Sequence, residues 1–488
     1  MRLRAVLFSC FVCALCACER PAGCQRAPAT DDAPEGRVVA QPQPARQRWL
    51  RDHFLADHRM LLGRAPEDTQ GKFLKMAQSP YNYFRGSANM ALRDATEQDN
   101  ALFDPSVPAI WLVGDPHPEN FGTFRLPQGR MTLEVNDFDA TLKGPYLWDI
   151  HRLSVGFGVL WAMARDQGLL GDEDLEPLLK VLVAAYLDEL QQTDDALFLR
   201  QSFASKEGAS AHAGAIYADL IRRASKDGDK REALSDYTTR RAGQPALRRG
   251  VLEPSDHPLI ARDVLTDPPA HLSDLPHTTR QAYLQTLLPA RRPASLGQPL
   301  DVASRLGAGV GSYPVQRLYV LYPSDLLLEY KEILAPFVPS GFQAPTATSP
   351  AQRAVDAQRA MHSSPQSDLW LGHVQRDGAS FKVRQRTKYQ KGIKVTRLLD
   401  EAKQGGWSMQ DLHAFAQVSA RILARAHTRA NPQPVRPALA HLRANLQDIE
   451  HSLLRSGVDA TVQTLRDYEL FVDLLTPEGS MVPGTKVP

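Results

Sequence analysis

The segment GDPHPEN (residues 114–120) places a dense set of polar side chains directly after a short apolar run at residues 109–113. An apolar run of that length, bounded by turn residues, is typical of a buried strand. A second strand is predicted at residues 131–135, and the polar segment NDFD (residues 136–139) follows it. The chain therefore has two acidic turns, each at the end of a predicted strand.

Two turns at the ends of neighbouring strands would bring Asp115, Asn120 and Asp137 together at one rim of a sheet. Oxygen side chains in such a set suit a hard cation such as Mg²⁺. A carboxylate left free beside the cation can orient a hydroxyl group for attack. The alternative is that these residues only stabilise turns, as Asp and Asn commonly do.

A glycine-rich segment, RLGAGVGS (residues 305–312), lies much farther along the chain. Glycines let a backbone approach phosphate groups without a side chain in between. The candidate phosphate-contacting residues are Gly307, Gly309, Gly311 and Ser312. Lys331 lies on the third strand predicted from residue 301 onward, where its ammonium group can reach bound phosphates. The alternatives are a tight hairpin and a surface lysine on an edge strand.

The pattern Asp-x-x-x-x-Asn, followed after a strand by Asp-Phe-x, resembles the catalytic loop and metal-binding motif of protein kinases and aminoglycoside phosphotransferases. The resemblance implies that Asp115 is the catalytic aspartate, Asn120 a metal ligand and Asp137 the principal metal ligand. It also implies ATP and Mg²⁺ as the bound groups. The sequence departs from the protein-kinase motif at Asp139, which stands where those enzymes have glycine.

The order of these motifs is reversed relative to a kinase, because the catalytic loop precedes the glycine-rich segment. We therefore predict an α+β, kinase-like two-lobed fold that is circularly permuted. The chain also resembles a bacterial family known as domain of unknown function 2252, over about residues 49–430. Besides the segments already quoted, the similar motifs are SPYNYFRG (79–86), GP (144–145), WD (148–149), VRQ (383–385) and ARAH (424–427). The resemblance gives no substrate.

Three further residues have both a functional and a structural interpretation. Arg85 could bind a phosphate bidentately or form a salt bridge with Asp149 or another neighbour. His117 could be a base or a metal ligand, but its place between two prolines favours a loop-stabilising role. Asp149 and Arg152 are one helical turn apart and are predicted to pair with each other.

Residues after the glycine-rich segment are also candidates. Asp356 lies on a predicted helix and would take the place of the helix-C glutamate of kinases. Arg384 begins a basic stretch that is either a solvated face or a contact for an acidic substrate or phosphate. The stretch consists of Arg384, Arg386, Lys388, Lys391 and Lys394. His427, on a predicted amphipathic helix, is expected to be a structural histidine.

All five cysteines lie within the first 24 residues, so a disulfide framework is not expected in the folded body. A basic start followed by apolar residues is typical of a secretory signal, which we place at residues 1–18. The segment LCAC (residues 15–18) resembles a bacterial lipobox and implies lipid attachment at Cys18; a plain cleaved signal is the alternative. Residues 19–47 are predicted to be a disordered tether. We expect an exported protein, periplasmic or held at a membrane by its lipid alone.

The chain of 488 residues has 57 Lys and Arg against 55 Asp and Glu, and its net charge of +2 creates no field that would attract nucleic acid. No apolar run is long enough for a standard membrane-spanning helix. We expect a helical lobe at residues 48–300, a small β-rich nucleotide lobe at 301–395, C-terminal helices at 396–474 and a tail at 475–488. Strong helical patterns are present at residues 148–165, 175–192 and 409–430.

Three functions fit this pattern. The first is a phosphotransferase that moves a phosphoryl group from a nucleotide to an acceptor, with Lys331 bracing the phosphates. Export works against it, because free ATP is scarce outside the cytoplasm. The second is therefore a non-catalytic, kinase-like lipoprotein that binds a phosphorylated or sugar ligand at the cell envelope. The third is a metal-dependent hydrolase that uses Asp115, His117, Asp137 and Asp139.

Overall fold

The computed structural model describes most of the chain from Gln43 onward. The described residues are 43–97, 102, 107–127, 129–192, 203–204, 214–227, 237–248, 272–273, 277–286, 296–305, 309–311, 313–339, 342, 349–365, 367–387, 389–431, 435–476 and 481. The predictions for the signal sequence, Cys18, Gly307, Ser312 and Lys388 lie outside these residues. None of the described helices is long and apolar enough to cross a membrane.

Helices and strands both contribute, so the fold is α+β, as predicted. The described helices are α1 (Gln43–Arg64), α2 (Pro66–Met76), α3 (Pro80–Gly86), α4 (Ala88–Glu97), α5 (Leu147–Asp166), α6 (Leu175–Gln191), α7 (Gly214–Asp227), α8 (His277–Thr286), α9 (Pro350–Met361), α10 (Val395–Lys403), α11 (Met409–Ala430), α12 (Val435–Ala444) and α13 (Leu446–Leu474). The three strong helical patterns thus correspond to α5, α6 and α11.

The described strands form four small antiparallel sheets. Their bounds are β1 (Ala109–Leu112), β2 (Phe121–Arg125), β3 (Met131–Val135), β4 (Leu142–Pro145), β5 (Phe203–Ala204), β6 (Thr238–Arg241), β7 (Gln244–Leu247), β8 (Leu272–Ser273), β9 (Asp301–Arg305), β10 (Arg317–Tyr322), β11 (Leu326–Glu332), β12 (Gly372–Arg376) and β13 (Ala379–Gln385). The two strands predicted before the acidic turns are present as β1 and β3.

Local sequence explains where the helices near the site begin. Helix α3 starts after Ser79, whose Oγ accepts a hydrogen bond from the backbone N–H of Asn82 at 3.1 Å, and Pro80 occupies the first helical position. Helix α11 starts with a capping box between Ser408 and Asp411. Helix α5 is buried along most of its length, because apolar residues lie on almost all of its sides.

The main apolar core is shared by α5, α6 and the C-terminal helices. Trp148, Leu182, Phe415 and Leu453 belong to this single cluster. The segment 396–474 is therefore part of the same packed body as the earlier helices. A second cluster joins α1–α4 to the end of α13.

The predicted tether (residues 19–47) and the predicted tail (residues 475–488) each include residues that belong to the folded body. Residues 43–47 belong to α1, because Arg46 is buried and pairs with Asp94 at 2.5 Å and with Asp467 at 2.6 Å. A buried cation with two carboxylate partners, of which Asp467 is buried and Asp94 partly buried, has a defined position that a disordered tether does not provide. At the other end, Met481 is buried against the α1–α4 cluster, although the sequence placed it in a tail.

The strands before the acidic turns are not neighbours. Strand β1 pairs with β4, with Ile110 opposite Gly144, whereas β3 pairs with β2, with Val135 opposite Phe121. Pairing partners depend on contacts remote in sequence, so the period-2 pattern of a strand identifies the strand but not its neighbour.

The largest sheet has the order β12-β13-β11-β10-β9-β8, and all of its pairs are antiparallel. Successive side chains alternate between its faces. Leu328 and Tyr330 of β11 therefore pack into an apolar cluster on one face, while Glu329 and Lys331 lie on the other. This alternation directs Lys331 toward the acidic NDFD turn.

Candidate functional site

A cavity of about 240 Å³ lies where α1–α4 meet the two acidic turns. The predicted site residues in its wall are Arg85, Asp115, His117, Asn120, Asp137, Asp139 and Gly311. Apolar side chains, among them Leu61, Met90 and Phe337, form much of the remaining wall. The structure thus gathers seven of the predicted residues around one cavity.

The GDPHPEN loop is held by a buried carboxylate beneath it. Asp149 is fully buried and accepts hydrogen bonds from the backbone N–H of Val113 at 2.7 Å and of Gly114 at 3.0 Å. His427 Nε2 lies 2.8 Å from the same carboxylate. The predicted pair between Asp149 and Arg152 is therefore wrong, because the loop amides and the histidine take the carboxylate. His427 is a structural histidine, as predicted.

Arg152 pairs with Asp115 instead. Its Nε donates to Asp115 Oδ1 at 2.9 Å, and its Nη2 donates to the carbonyl oxygen of Phe84 at 2.6 Å. Burial raises the pKa of Asp115, and the guanidinium of Arg152 opposes that rise. With 18 % of its side chain exposed, Asp115 lines the cavity and is open to a ligand there.

Gly114 allows the close contact between the two acidic turns. Its φ is +90°, and a Cβ at this position would clash with the backbone oxygen of Ala140.

We expect Gly114→Ala to lower the free energy of unfolding by about 3 kcal/mol, because backbone strain and a backbone clash act together. Urea denaturation measures the change. Gly171→Ala is the matched control, since a Cβ there meets nothing within 4 Å; equal midpoints for the two variants would contradict the expectation.

Asn120 connects the two turns. It ends a short 3₁₀ helix, Pro118–Asn120, and its Nδ2 donates to the carbonyl oxygen of Asp115 at 3.0 Å. The backbone N–H of Asn136 donates to the carbonyl oxygen of Asn120 at 2.9 Å. The turns therefore meet through the β2–β3 hairpin, which begins after Asn120 and ends before Asn136, and not through adjacent strands β1 and β3.

Lys331 reaches the NDFD turn from a point 194 residues later in the chain. Its Nζ lies 3.5 Å from Asp137 Oδ2 and contacts Asp139 Oδ2. Although partial burial of Asp137 favours its neutral form, the ammonium groups of Lys331 and Lys382 hold its pKa below the usual range. Burial raises the pKa of Asp139, and the Asp137 carboxylate raises it further. Asp137 is accordingly the stronger acid of the two.

Lys382 is a site residue that the sequence interpretation missed. It is buried on β13 directly opposite Lys331 in the sheet register. Burial lowers its pKa to about 8, although the carboxylates of Asp139 and Asp137 oppose this shift. The sequence did contain a signal for it. Side chains alternate between the two faces of a strand, so Lys382, two residues before the candidate Arg384, lies on the same face of β13.

Residues 309–311 of the glycine-rich segment lie against the helices near the cavity. Gly309 has φ +82°, and Val310 is buried in the α1–α4 cluster. Gly311 lines the cavity, and a Cβ there would lie 3.2 Å from the backbone oxygen of Arg85. Lys72 Nζ donates to the carbonyl oxygen of Gly311 at 3.2 Å. The glycines therefore permit a close approach to α3 in addition to any contact with a ligand.

Arg85 and His117 lie next to each other in the cavity wall. Arg85 Nη1 pairs with Glu119 Oε2 at 2.7 Å, so its partner is Glu119 and not Asp149. His117 is buried, and its ring meets Tyr81 edge to face. Burial, together with the charges of Arg85 and Arg152, holds the pKa of His117 well below its usual value, so the imidazole is neutral.

Asp356 does not take the role of a helix-C glutamate. It is exposed on α9, and within the described part of the chain the carboxylates paired with Lys331 are Asp137 and Asp139. Arg353 of the same helix faces the site and donates to the carbonyl oxygen of Asp139 at 2.6 Å. Asp356 itself is exposed to solvent.

The basic stretch after β13 is partly structural. Arg384 Nε donates to Glu329 Oε2 at 2.5 Å, and Arg317 donates to the other carboxylate oxygen at 2.8 Å. Glu329 is fully buried, and Arg386 lies 3.7 Å from it. Arg384 and Arg386 therefore neutralise a buried carboxylate and do not form a freely solvated face.

The residues at this site fit a magnesium ion. In the described ranges no group of three or more His, Cys, Asp or Glu side chains is arranged to hold a metal. However, Mg²⁺ is commonly bound by one or two carboxylates together with substrate phosphates. Asp137 is ionised, the Asn120 amide uses its N–H end on Asp115, and Asp139 Oδ1 is buried without a hydrogen-bond partner among the described residues. Oxygen atoms suited to a hard cation are therefore present.

The part of the chain that forms this site matches a known family. Residues 64–474 match the family described as "Uncharacterized protein conserved in bacteria (DUF2252)", and this is more than half of the chain. The chain therefore belongs to the DUF2252 family. No curated protein and no solved structure matches it.

Proposed function

We propose that this protein is a phosphotransferase with a kinase-like, circularly permuted two-lobed fold, and that it moves a phosphoryl group from a nucleotide to a small acceptor. The observation that supports this most is the contact of Lys331 with Asp137 and Asp139 beside a cavity that Asp115 lines. An ammonium group, an ionised carboxylate and an acidic side chain that is open to the cavity are the groups that phosphoryl transfer requires.

In this proposal Asp115 acts on the acceptor. Its Oδ1 is held by Arg152, so Oδ2 is the oxygen that we assign to the acceptor hydroxyl. The hydroxyl oxygen forms a bond to the terminal phosphorus of the donor while its proton passes to Asp115. The bond between that phosphorus and the bridging oxygen breaks, and the nucleoside diphosphate leaves with the electron pair.

The remaining residues bind and position the donor. Lys331 braces the phosphates, with Lys382 adding positive charge beside it. Asn120 and Asp137 would hold Mg²⁺, which when bound would neutralise charge on the phosphate oxygens. The backbone of Gly309 and Gly311 would approach the phosphates. Catalysis would then depend mainly on positioning and on charge neutralisation.

Asp115→Asn tests the proposed division of roles. We expect this variant to bind Mg²⁺-nucleotide as the wild type does, but to transfer the phosphoryl group about 100-fold more slowly or worse, because the proton acceptor is lost. Calorimetry with Mg²⁺-ATP measures binding, and release of labelled phosphate to acceptors or water measures turnover. Asp172→Asn, an exposed carboxylate in the helical part of the chain, is the control. Wild-type protein that binds no Mg²⁺-nucleotide would sink the proposal.

One observation favours the second candidate, a kinase-like binding protein without turnover. Val310 is buried and Gly311 is hydrogen-bonded to Lys72, so residues 309–311 of the glycine-rich segment are held against the helices. A segment held in this way can bind a ligand without moving during a reaction cycle. Nucleotide or sugar-phosphate binding with no detectable transfer in the wild type would select this candidate.

A further inference from the structure

The carboxylates that line the cavity are each paired with a basic side chain. The pairs are Asp57 with Arg93 at 2.5 Å, Asp115 with Arg152 at 2.9 Å, Glu332 with Arg64 at 2.7 Å, and both Asp137 and Asp139 with Lys331. Arg85, a cation in the wall, is paired with Glu119. The acidic groups of the cavity are therefore neutralised by the protein itself.

Lys72 is the exception among the charged groups of this wall. It is buried on α2, and it donates a hydrogen bond to a neutral acceptor, the carbonyl oxygen of Gly311, at 3.2 Å. No carboxylate of the described residues lies within ion-pair distance of its Nζ. A buried ammonium group without a counter-ion is unfavourable, and an anionic ligand in the cavity would supply one.

Other polar atoms in the same wall also lack partners among the described residues. Arg85 Nε and His117 Nδ1 are buried nitrogen atoms without a hydrogen bond. Asp57 Oδ2 and Asp139 Oδ1 are buried oxygen atoms that also lack a hydrogen bond to the described residues. Buried polar groups are normally hydrogen-bonded, so this set points to a ligand that both donates and accepts.

We propose that the cavity is the acceptor subsite, and that it takes a small hydroxylated compound with one carboxylate or phosphate group. The anionic group would lie at Lys72, and a hydroxyl would face Asp115. The inference rests on the proposed function, since it names the acceptor class for the same reaction. A volume of about 240 Å³ is below the range of about 300–1,000 Å³ typical of drug-sized ligands, so the acceptor is small. The apolar wall near Leu61 and Met90 would contact its carbon skeleton.

The test compares three probes with one carbon skeleton: glycerol 3-phosphate, glycerate and glycerol. We expect the full-length protein to bind one or both anionic probes about tenfold or more tightly than glycerol, as measured by calorimetry. Comparing the two anionic arms distinguishes phosphate from carboxylate. Lys72→Met keeps the length and the packing of the side chain and should lose this preference, whereas Lys72→Arg should retain part of it. Lys180→Met, an exposed lysine on α6, is the matched control.

A pH titration of probe binding adds a readout that a purely structural lysine would not change. Burial lowers the pKa of Lys72 to about 8, and Asp57 and Asp115 oppose the shift. The other titratable groups of the wall near it are His58, Arg85 and His117, and the pKa values of both histidines lie well below neutrality. Affinity for the anion should therefore fall as the pH rises above about 8.

Equal binding of glycerol and the anionic probes, binding of none of them, or unchanged anion binding by Lys72→Met would overturn the inference. The melting temperature of Lys72→Met, measured alongside, shows that the variant is folded when binding is compared. Mg²⁺-nucleotide binding is measured separately on the same samples. Anion binding without nucleotide binding would refute the proposed phosphotransferase but leave an anion site at Lys72, and the reverse result would refute only the acceptor assignment.

Discussion

Asp137→Asn is expected to lower phosphoryl transfer about a thousandfold, as a consequence of losing one negative charge at the metal position. The substituted side chain has the same shape, so the geometry of the NDFD turn is preserved. In the native protein Lys331 and Lys382 keep Asp137 ionised, and this makes its carboxylate the strongest candidate ligand of the proposed metal site. Mg²⁺-dependent nucleotide affinity, measured by calorimetry, should fall together with turnover.

The control for this prediction is Asp377→Asn, because Asp377 lies in the turn between β12 and β13 with 83 % of its side chain exposed. Its exposed pair with Arg376 contributes little to stability. Lys331 retains its contact with Asp139 in Asp137→Asn, so the melting temperature should change little. Unchanged nucleotide affinity in Asp137→Asn would contradict the assigned role of the residue as a metal ligand.

Asp149→Ala is expected to lower the free energy of unfolding by about 3–5 kcal/mol. The carboxylate is fully buried and accepts hydrogen bonds from Val113 and Gly114, while His427 Nε2 lies 2.8 Å away. Alanine would leave two buried backbone N–H groups and one imidazole without this partner. Tyr186 Oη lies 2.8 Å from His427 Nδ1, so this hydrogen bond would also weaken once Asp149 no longer holds the imidazole in place. Urea denaturation followed by tryptophan fluorescence measures the change.

Asp166→Ala provides the comparison for Asp149→Ala, because Asp166 is an exposed carboxylate at the end of the same helix, α5. Its effect should be within about 0.5 kcal/mol of zero. Asp149→Asn should fall between the two, since one of its amide atoms can still accept a hydrogen bond from the loop. A difference of less than about 1 kcal/mol between Asp149→Ala and the wild type would show that the buried carboxylate does not hold the loop.

Predictions based on local pattern agree with the structure in several places. The strands before the two acidic turns, the helices α5, α6 and α11, and the membership of the DUF2252 family were all predicted from sequence alone. These features depend on periodicity and on short motifs, which are properties of adjacent residues. The structure also brings Lys331 to Asp137, as the proposed cleft requires.

Predictions about partners were less accurate, and Arg152 shows why. Asp149 and Arg152 are one turn apart on a helix, a spacing that favours an ion pair. The interior contains stronger competitors, because two loop amides need the Asp149 carboxylate and Asp115 needs the Arg152 guanidinium. The prediction that Asp356 takes the place of a helix-C glutamate was wrong for a similar reason. The position of a carboxylate along a helix does not reveal which face of that helix meets the sheet.

By itself, the order of amino acids determined the α+β class, the motif positions and the family, because each depends on residues close together along the chain. Long-range packing, in contrast, sets the pairing of β1 with β4, the place of Lys382 beside the acidic turn and the position of Lys72 in the cavity wall without a carboxylate partner among the described residues. Those outcomes depend on which buried charges and hydrogen-bonding groups meet after the chain has packed, and free energy is minimised over all of them together.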